Sequence, residues 1–274
     1  MFSDKNIIIT GGSSGLGKAL AHRLAREGAN LALIARDPAK LEAVQYEINR
    51  GIRPGQRIVA ISCDVSNYES VLNSFVTIVE TLGRPDMLIN SAGVITEGYF
   101  EDMAIEKFRE IMNINYFGTL HCIKAAIPYF KEQHGGVIVN MGSIAGRFGA
   151  FGYSVYCSSK FAVHGLTEAL RGELKPQKIK FQLVCPPEFT SPMVEDLNKY
   201  RTRENLRVAH TMPVMDVDRV ADAVMKGLHK GRYLIIPGRM TRLLDLANRV
   251  FPLASRLIVD LQTKLAYRGP DKKD

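Results

Sequence analysis

Seven short runs rich in Val, Ile and Leu alternate with stretches of helical periodicity along this 274-residue chain. The runs are Asn6–Thr10, Asn30–Ala35, Ile58–Ser62, Met87–Asn90, Gly136–Met141, Ile179–Val184 and Tyr233–Ile236. Strands that follow one another through a helix lie parallel in one sheet, and their helices cover both faces of that sheet. The sequence therefore predicts an α/β fold with a doubly wound parallel sheet of about seven strands.

The segment TGGSSGLG at Thr10–Gly17 connects the first predicted strand to the first predicted helix. At such a place backbone N–H groups and the helix dipole hold a pyrophosphate, and glycine lets the phosphates approach the backbone. The spacing departs from G-x-G-x-x-G, and a tight turn also requires glycine for structure alone. The strand, loop and helix context favours a dinucleotide on a Rossmann-type sheet. The residues expected to contact it are Gly11, Ser13, Ser14, Gly15, Leu16 and Gly17.

The end of the second predicted strand indicates which dinucleotide binds. An acidic residue there, about 20 residues after the loop, hydrogen-bonds the ribose 2′-hydroxyl of NAD. In this chain Ala35 takes that place and Arg36 follows it. Because a guanidinium recognises a 2′-phosphate and Ser13 adds a hydroxyl, we expect NADPH/NADP+ to be preferred. The alternative is that Arg36 is a solvated loop residue and that Asp37 takes the acidic role.

Tyr156 and Lys160 lie four residues apart, and hence on one face of a predicted helix. A phenol with its ordinary pKa of about 10 is a poor proton donor and acceptor near neutral pH. We expect Lys160, together with the charge of an oxidised nicotinamide, to lower this pKa. Taken singly the pair is weak support for catalysis, because the same spacing occurs on solvated helix faces.

Six motifs occur in the order and at the spacing of the short-chain dehydrogenase/reductase family, which the chain resembles over nearly its whole length. They are TGGSSGLG at 10–17, Cys63–Val65, Asn90–Gly93, Asn115 in IMNINYFG, Ser143 in NMGSIAG, and Tyr156 with Lys160. The resemblance implies an NADP-dependent oxidoreductase in which Tyr156 protonates the substrate oxygen. It also implies that Lys160 holds the nicotinamide ribose and lowers the Tyr156 pKa. Ser143 would hydrogen-bond the substrate carbonyl, and Asn115 would anchor a water in the proton relay.

The same resemblance assigns further residues to cofactor binding, namely Asp64, Val65, Asn90, Ala92, Gly93, Pro186 and Thr190. Judged from the residues alone, Ser143 is equally suited to capping a turn, and Asn115 to local hydrogen bonds within a helix. A non-catalytic nucleotide-binding scaffold on the same fold is a further alternative. A scaffold, however, has no need of a proton relay, so the intact set of four catalytic residues argues against it.

The loop after the sixth predicted strand reads CPPEFT at 185–190, where the family usually has Pro-Gly. Together with EGYFED at 97–102, GRFGAFGY at 146–153 and ELKPQKIK at 173–180, it resembles the branch that reduces long-chain 3-keto sphingoid bases. That resemblance implies a lipophilic ketone substrate. The alternatives are that the second proline only rigidifies the loop, or that the substrate is another ketone such as a 3-oxoacyl thioester or a steroid. Residues 191–212 are the expected substrate lid.

We interpret residues 1–237 as an NADP-binding catalytic domain and residues 238–274 as a basic amphipathic helical tail. Apolar residues recur at helical spacing from Leu243 to Leu265, and Pro252 predicts a break. The tail has eight Lys or Arg and four Asp, and its net charge is therefore half of the formal net charge of +8 of the whole chain. Such a tail can lie on an anionic membrane or pack on its own domain or a partner subunit, and the sequence leaves both open.

Several other classes of protein are disfavoured. No apolar run reaches the roughly 18 residues of a membrane span and no export signal is present, so we expect a cytoplasmic protein with at most peripheral membrane contact. The four cysteines lie far apart, so we expect reduced thiols, no disulfide and no metal site. No motif supports a nucleic-acid partner. The family resemblance implies a homodimer or homotetramer through helices around Ala104–Lys131 and Ser154–Leu174.

Overall fold

A computed structural model of the protein describes residues 1–209 and 213–268. The strands are β1 (Asn6–Thr10), β2 (Asn30–Ala35), β3 (Ile58–Ser62), β4 (Met87–Asn90), β5 (Gly136–Met141), β6 (Ile179–Val184) and β7 (Leu234–Ile235). The helices are α1 (Gly15–Arg26), α2 (Pro38–Asn49), α3 (Tyr68–Leu82), α4 (Ile105–Met112), α5 (Gly118–Glu132), α6 (Ser154–Glu173), α7 (Pro192–Asn198), α8 (Arg203–Ala209), α9 (Val217–His229), α10 (Arg239–Val250) and α11 (Pro252–Arg268). Six strands have the predicted bounds, and β7 is one residue shorter at each end than predicted.

All seven strands form one parallel sheet in the order β3-β2-β1-β4-β5-β6-β7. From β1 the chain first builds outwards through β2 and β3, and then crosses back to place β4 on the other side of β1. This reversal leaves a crevice at the carboxyl ends of β1 and β4, where open α/β sheets bind their ligands. The predicted Rossmann-type, doubly wound sheet is confirmed.

The sequence of β1 explains why helices are needed on both faces. Successive side chains of a strand point to opposite faces. Ile7 accordingly packs in a cluster with Leu20 of α1, whereas Ile8 packs in a second cluster with Phe75 of α3. All four side chains are almost completely buried. Packing on both faces therefore fixes the carboxyl edge of the sheet, where the loops of the site begin.

The tail predicted from residue 238 onwards forms α10 and α11, separated at Pro252 as expected. It packs on the rest of the molecule: Arg147 forms a buried ion pair with Asp245, and the Phe151 and Tyr267 rings meet edge to face at 5.7 Å. Most of its leucines are nevertheless exposed. Within the described residues, no helix is both long and apolar enough to cross a membrane. Six residues of the predicted tail, 269–274, lie outside the described residues, as do residues 210–212 of the predicted lid.

Candidate active site

One continuous cavity occupies the crevice at the carboxyl edge of the sheet. The loop between β1 and α1 lines it, together with the segments that follow β4, β5 and β6. Helices α7, α8 and α10 also line it, with Val194, Val208 and Leu244. The predicted lid thus lines the cavity, and so does α10, which the sequence assigned to a separate tail. The proposed domain boundary at residue 237 remains a prediction.

The N-terminus of α1 has the features of an anion site. Ser14 occupies the N-cap position, but its side chain forms no capping hydrogen bond, and no acidic residue lies in the first turn. The first N–H groups of the helix therefore retain their partial positive charge beside the cavity. Gly15 has a φ of +51°, and a Cβ there would meet only Ser191, at 3.7 Å. These features fit the pyrophosphate of a nicotinamide dinucleotide.

Two other glycines of the loop are required by close backbone contacts within the protein. A Cβ on Gly17 would lie 2.2 Å from the carbonyl oxygen of Gly11. A Cβ on Gly11, whose φ is +67°, would lie 2.8 Å from the backbone of Ser91 and Ala92. Both glycines are therefore required by the packing of the loop itself, which was the alternative to cofactor binding. Both also line the cavity.

Arg36 and Asp37 follow β2 with different surroundings. The Asp37 carboxylate caps α2 by accepting a hydrogen bond from the backbone N–H of Lys40 at 3.1 Å, so it is already engaged. Arg36 is exposed, and no ion pair to it is recorded in the described part of the chain. This arrangement favours Arg36 over Asp37 as the group that faces an adenosine ribose. Ser13 is half-buried at the turn and does not line the cavity.

The remaining predicted cofactor residues divide into two groups. Ala92, Gly93 and Pro186 line the cavity, as do Ser14 and Leu16 of the glycine loop. The others hold the surrounding segments in place, and their contacts are as follows: the Asp64 carboxylate accepts from the Ser66 N–H at 2.9 Å, Val65 packs against Gly118, the Asn90 amide donates to Asn140 Oδ1 at 2.8 Å, and Thr190 Oγ1 accepts from the Val217 N–H at 3.1 Å.

Ser143, Tyr156 and Lys160 all line the cavity and lie close to one another. Lys160 Nζ donates to the carbonyl oxygen of Met141 at 2.9 Å and lies 5.7 Å from the centre of the Tyr156 ring. Ser143 Oγ accepts from the Ala145 N–H at 3.1 Å, so this residue does cap a turn. Its hydrogen bond to Tyr156 also favours a lower pKa of the Tyr156 hydroxyl. The pair predicted from its spacing therefore faces a cavity and not bulk solvent.

Burial is the main cause of the pKa shifts of Tyr156 and Lys160. It raises the pKa of Tyr156 to about 12 and lowers the pKa of Lys160 to about 8. The sequence predicted a lower Tyr156 pKa through Lys160 and a nicotinamide charge. In the protein by itself the shift has the opposite sign, because removing the phenolate from water outweighs the nearby polar groups. The hydrogen bond of Ser143 lowers the Tyr156 pKa but does not outweigh burial, so a net lowering requires a further positive charge such as that of an oxidised nicotinamide.

Asn115 lies in a π-helical turn at Asn113–Phe117, between α4 and α5. Its Oδ1 accepts from the Val94 N–H at 2.8 Å, and its Nδ2 donates to the Val94 carbonyl at 2.9 Å and to Ser159 Oγ at 3.0 Å. These are tertiary contacts, unlike the local helix bonds that the sequence kept as an alternative. Asn115 does not line the cavity; it fixes the backbone after β4 to α6, directly behind Gly93.

Sequence reasoning gave no role to a polar cluster at the substrate end. Glu188 and Tyr153 line the cavity. Arg201, which is 2% exposed, forms an ion pair with Glu188 and donates to the Tyr153 hydroxyl at 2.9 Å. The signal that was available was the position of Glu188 directly after the unusual double proline. Nothing in the sequence placed Arg201 beside it.

The fold and the site are those of a nicotinamide-dependent oxidoreductase, and comparison with known proteins agrees. Residues 5–202 match the short chain dehydrogenase family, and the chain belongs to that family. The 3-ketodihydrosphingosine reductase of Mus musculus is 36% identical over 230 residues, which cover 83% of this chain and 69% of that protein. The 3-oxoacyl-[acyl-carrier-protein] reductase of Homo sapiens is 31% identical over 242 residues, which cover 88% of this chain and 100% of that protein.

A solved structure is similar over nearly the whole chain. It is a short chain dehydrogenase from Burkholderia cenocepacia in complex with NADP, with a TM-score of 0.79 and 25% identity, covering 94% of this chain and 98% of that one. The expectation of an enzyme of this family, as opposed to a non-catalytic scaffold, is confirmed.

Proposed function

We propose that this oxidoreductase uses NADPH to reduce a long-chain lipid ketone to a secondary alcohol, and that the favoured substrate is 3-ketodihydrosphingosine. The observation that carries the proposal is the position of Ser143, Tyr156 and Lys160 in a cavity that joins the glycine loop to an apolar chamber. The similarity to 3-ketodihydrosphingosine reductases supports the choice of substrate.

The cofactor end of the site supports NADP. The uncapped N-terminus of α1 would hold the pyrophosphate, and Arg36 with Ser13 would bind the 2′-phosphate. Asp64 and Val65 would border the adenine, and Lys160 would hold the nicotinamide ribose. The other contacts are Gly11, Gly15, Leu16, Gly17, Asn90, Ala92, Gly93, Tyr156, Pro186 and Thr190. When bound, the reduced nicotinamide supplies the hydride that the carbonyl carbon accepts.

The residues of the protein supply the proton and orient the ketone. Tyr156 donates its hydroxyl proton to the ketone oxygen as negative charge develops there, which is general acid catalysis. Ser143 donates a hydrogen bond to the same oxygen and holds it within reach of Tyr156. Lys160, with its Nζ 5.7 Å from the centre of the Tyr156 ring, supplies the proton that restores Tyr156, and it would also hold the nicotinamide ribose when the cofactor is bound. Asn115 keeps the segment after β4 in place and anchors the water from which the relay is refilled.

The walls beyond Tyr156 suit an alkyl chain. The apolar side chains that line them include Ile95, Phe148, Phe151, Met193, Val194 and Leu244. Burying methylene groups against such walls contributes about 0.8 kcal/mol each, so a long chain binds far more tightly than a short one. A 3-oxoacyl thioester is the second candidate, because the human 3-oxoacyl-[acyl-carrier-protein] reductase is also similar over most of the chain.

The deciding experiment measures NADPH oxidation with 3-ketodihydrosphingosine, a 3-oxoacyl thioester and a steroid ketone at equal concentration. We expect the highest kcat/KM with 3-ketodihydrosphingosine, and with NADPH over NADH. A higher kcat/KM for the thioester would select the second candidate, whereas failure to oxidise NADPH with any of the three would refute the proposal.

The exposed face of α10 and α11 supports peripheral contact with a membrane. Its apolar side chains, all more than half exposed, are Leu243, Leu246, Val250, Phe251, Leu253, Leu257, Ile258, Leu261 and Leu265. Exposed Arg and Lys side chains accompany them on both helices. Such a face inserts at the headgroup level of an anionic membrane, beside the cavity that α10 lines. Sedimentation with phosphatidylglycerol vesicles tests this, and Leu257→Asp is expected to reduce binding.

We further propose a cytoplasmic homodimer or homotetramer that assembles through α4, α5 and α6. Ile105, Phe117 and Phe161 are large apolar side chains left exposed on this surface, and a symmetric partner would cover them. Light scattering of the purified protein tests the assembly. A monomer at micromolar concentration would refute it.

A further inference from the structure

The chamber next to Tyr156 contains an anionic group that reduction of a plain ketone does not require. Of the described residues that line the cavity, Glu188 is the only one with a carboxylate. Most of the other side chains that line the cavity are apolar, and a charge in such surroundings is costly unless it is paired. A carboxylate kept in this position therefore calls for an explanation.

Glu188 is held rigidly. Pro186 and Pro187 precede it and restrict the backbone. Its carbonyl oxygen accepts from the Met215 N–H at 3.0 Å, and the Thr190 N–H donates to the Met215 carbonyl at 2.9 Å. The loop is thereby paired on both sides of Phe189 with the segment that precedes α9. A carboxylate on such a support loses little conformational freedom when it binds a ligand.

The pairing of Glu188 leaves half of its carboxylate available. Arg201 bonds to Oε2, and no described residue bonds to Oε1. A second carboxylate, Glu97, is 5% exposed and accepts from the Thr202 N–H at 2.8 Å, one residue from Arg201. The negative charges of Glu188 and Glu97 both act on the Tyr153 hydroxyl, so the two carboxylates lie near the same part of the cavity wall. Their combined negative charge favours a cationic ligand over a neutral one.

The negative charge of the Glu188 carboxylate affects the pKa of Tyr156. Burial is the main cause that raises the pKa of Tyr156, and the negative charge of Glu188 raises it further. For a neutral ketone this effect only opposes ionisation of Tyr156. A cation bound at Glu188 cancels the effect and places a positive charge beside the oxygen that becomes negative during reduction.

We propose that Glu188 is a specificity-determining residue that binds an ammonium group next to the ketone, so that the site selects long-chain 2-amino-3-ketones. This inference rests on the proposed ketone reduction and specifies its substrate class. 3-Ketodihydrosphingosine has this chemistry, with an ammonium at C2 beside the C3 ketone, whereas a 3-oxoacyl thioester and a steroid ketone do not.

The test compares two ketones of equal chain length in the full-length enzyme with NADPH. The substrates are 3-ketodihydrosphingosine and its desamino analogue 1-hydroxyoctadecan-3-one, in the same detergent, and the readout is the ratio of their kcat/KM values. Glu188→Gln removes the charge but keeps the shape, and is expected to lower this ratio about 10- to 100-fold, the effect of losing a charged hydrogen bond.

Arg201→Met is the matched control, because it breaks the same ion pair and leaves the carboxylate in place. It is expected to keep the ratio or raise it, and Glu188→Asp is expected to retain most of it. An unchanged ratio in Glu188→Gln, or an equal fall in Arg201→Met, would overturn the inference while ketone reduction stands.

A binding measurement separates this inference from the proposed function. Tetradecylamine and tetradecan-1-ol are titrated into the NADPH-loaded protein, and the ratio of their Kd values is compared between wild type and Glu188→Gln. If the wild type reduces neither ketone, the proposed function fails and this ratio decides the inference. Weaker binding of the amine alone in Glu188→Gln supports it, and equal changes for both ligands overturn it.

Discussion

The ion pair between Arg147 and Asp245 joins the loop after β5 to α10, and its loss has a calculable cost. Each of the two side chains is 8% exposed. The Arg147 Nη2 donates to Asp245 Oδ2 at 3.1 Å, and Asn248 Nδ2 donates to the Arg147 carbonyl at 3.2 Å. Asp245→Ala leaves a guanidinium buried without its carboxylate. We expect the free energy of unfolding to fall by about 3–5 kcal/mol, the cost of unpairing a buried charge.

Urea denaturation of the full-length protein measures this loss. A matched control is Glu132→Ala, which removes the carboxylate of the ion pair between Arg84 and Glu132, at 2.8 Å and with side chains 53% and 56% exposed. Because water screens that pair, its loss is expected to cost about 0–1 kcal/mol. The double variant Arg147→Met with Asp245→Leu removes both charges and is expected to recover most of the stability, since an apolar pair replaces a buried ion pair at little cost.

Asp245→Ala is also expected to affect the site, because Asp245 lies on α10. Thr241 and Leu244 line the cavity on that helix, so loosening it raises KM for the ketone more than Kd for NADPH. A loss of stability in Asp245→Ala no larger than that of Glu132→Ala would refute the reasoning. So would a double variant as unstable as the sum of the single variants, since the unpaired charge would then not be the cause.

Three further predictions concern the reacting groups. Tyr156→Phe removes the proton donor, so kcat should fall by about 10²- to 10⁴-fold while Kd for NADPH, measured by fluorescence titration, stays close to wild type; turnover within tenfold of wild type would exclude Tyr156 as the general acid. Arg36→Ala should weaken NADPH about 10- to 100-fold and leave NADH nearly unaffected, and equal weakening of both would contradict the assignment. Burial lowers the pKa of Lys160 from 10.5 to about 8, so the unfolded state binds more protons than the folded state between these values. Wild type should therefore gain up to about 3 kcal/mol relative to Lys160→Met as pH rises through that window, and parallel pH profiles would refute it.

The local sequence pattern was sufficient to predict the strands of the sheet and the helices that connect them. Strand bounds such as Asn6–Thr10 and Ile179–Val184 follow from runs of apolar residues between turn residues, and helices on both faces follow from their alternation. The last strand was predicted one residue too long at each end, because only Leu234 and Ile235 lie in register with β6. Tyr233 contributes its carbonyl oxygen, which accepts from the Leu183 N–H at 2.6 Å, but it is not itself part of the strand. Edge strands take their length from a single partner, which sequence does not reveal.

The tail shows where periodicity misleads. The leucines of α10 recur at helical spacing, which predicts an apolar face for packing or for a membrane. The face that packs on the domain is instead polar, with Thr241 and Asp245 buried and Leu243 exposed. Asp245 is buried because Arg147, 98 residues away, meets it. A residue pattern records which side of a helix is apolar, not which side finds a partner.

By itself the sequence determined the fold class and the place of the glycine loop after β1, because both depend on contacts between near neighbours or on the order of the strands. Ser143, Tyr156 and Lys160 were predicted as catalytic residues from their resemblance to the family motifs, and their roles stay a prediction. Only the tertiary structure decided what surrounds them. The contact of Glu188 with Arg201 and the buried pair of Arg147 with Asp245 join segments that are adjacent only after the sheet has folded. Burial, which sets the pKa of Tyr156, is likewise a property of the assembled layers and not of any one segment.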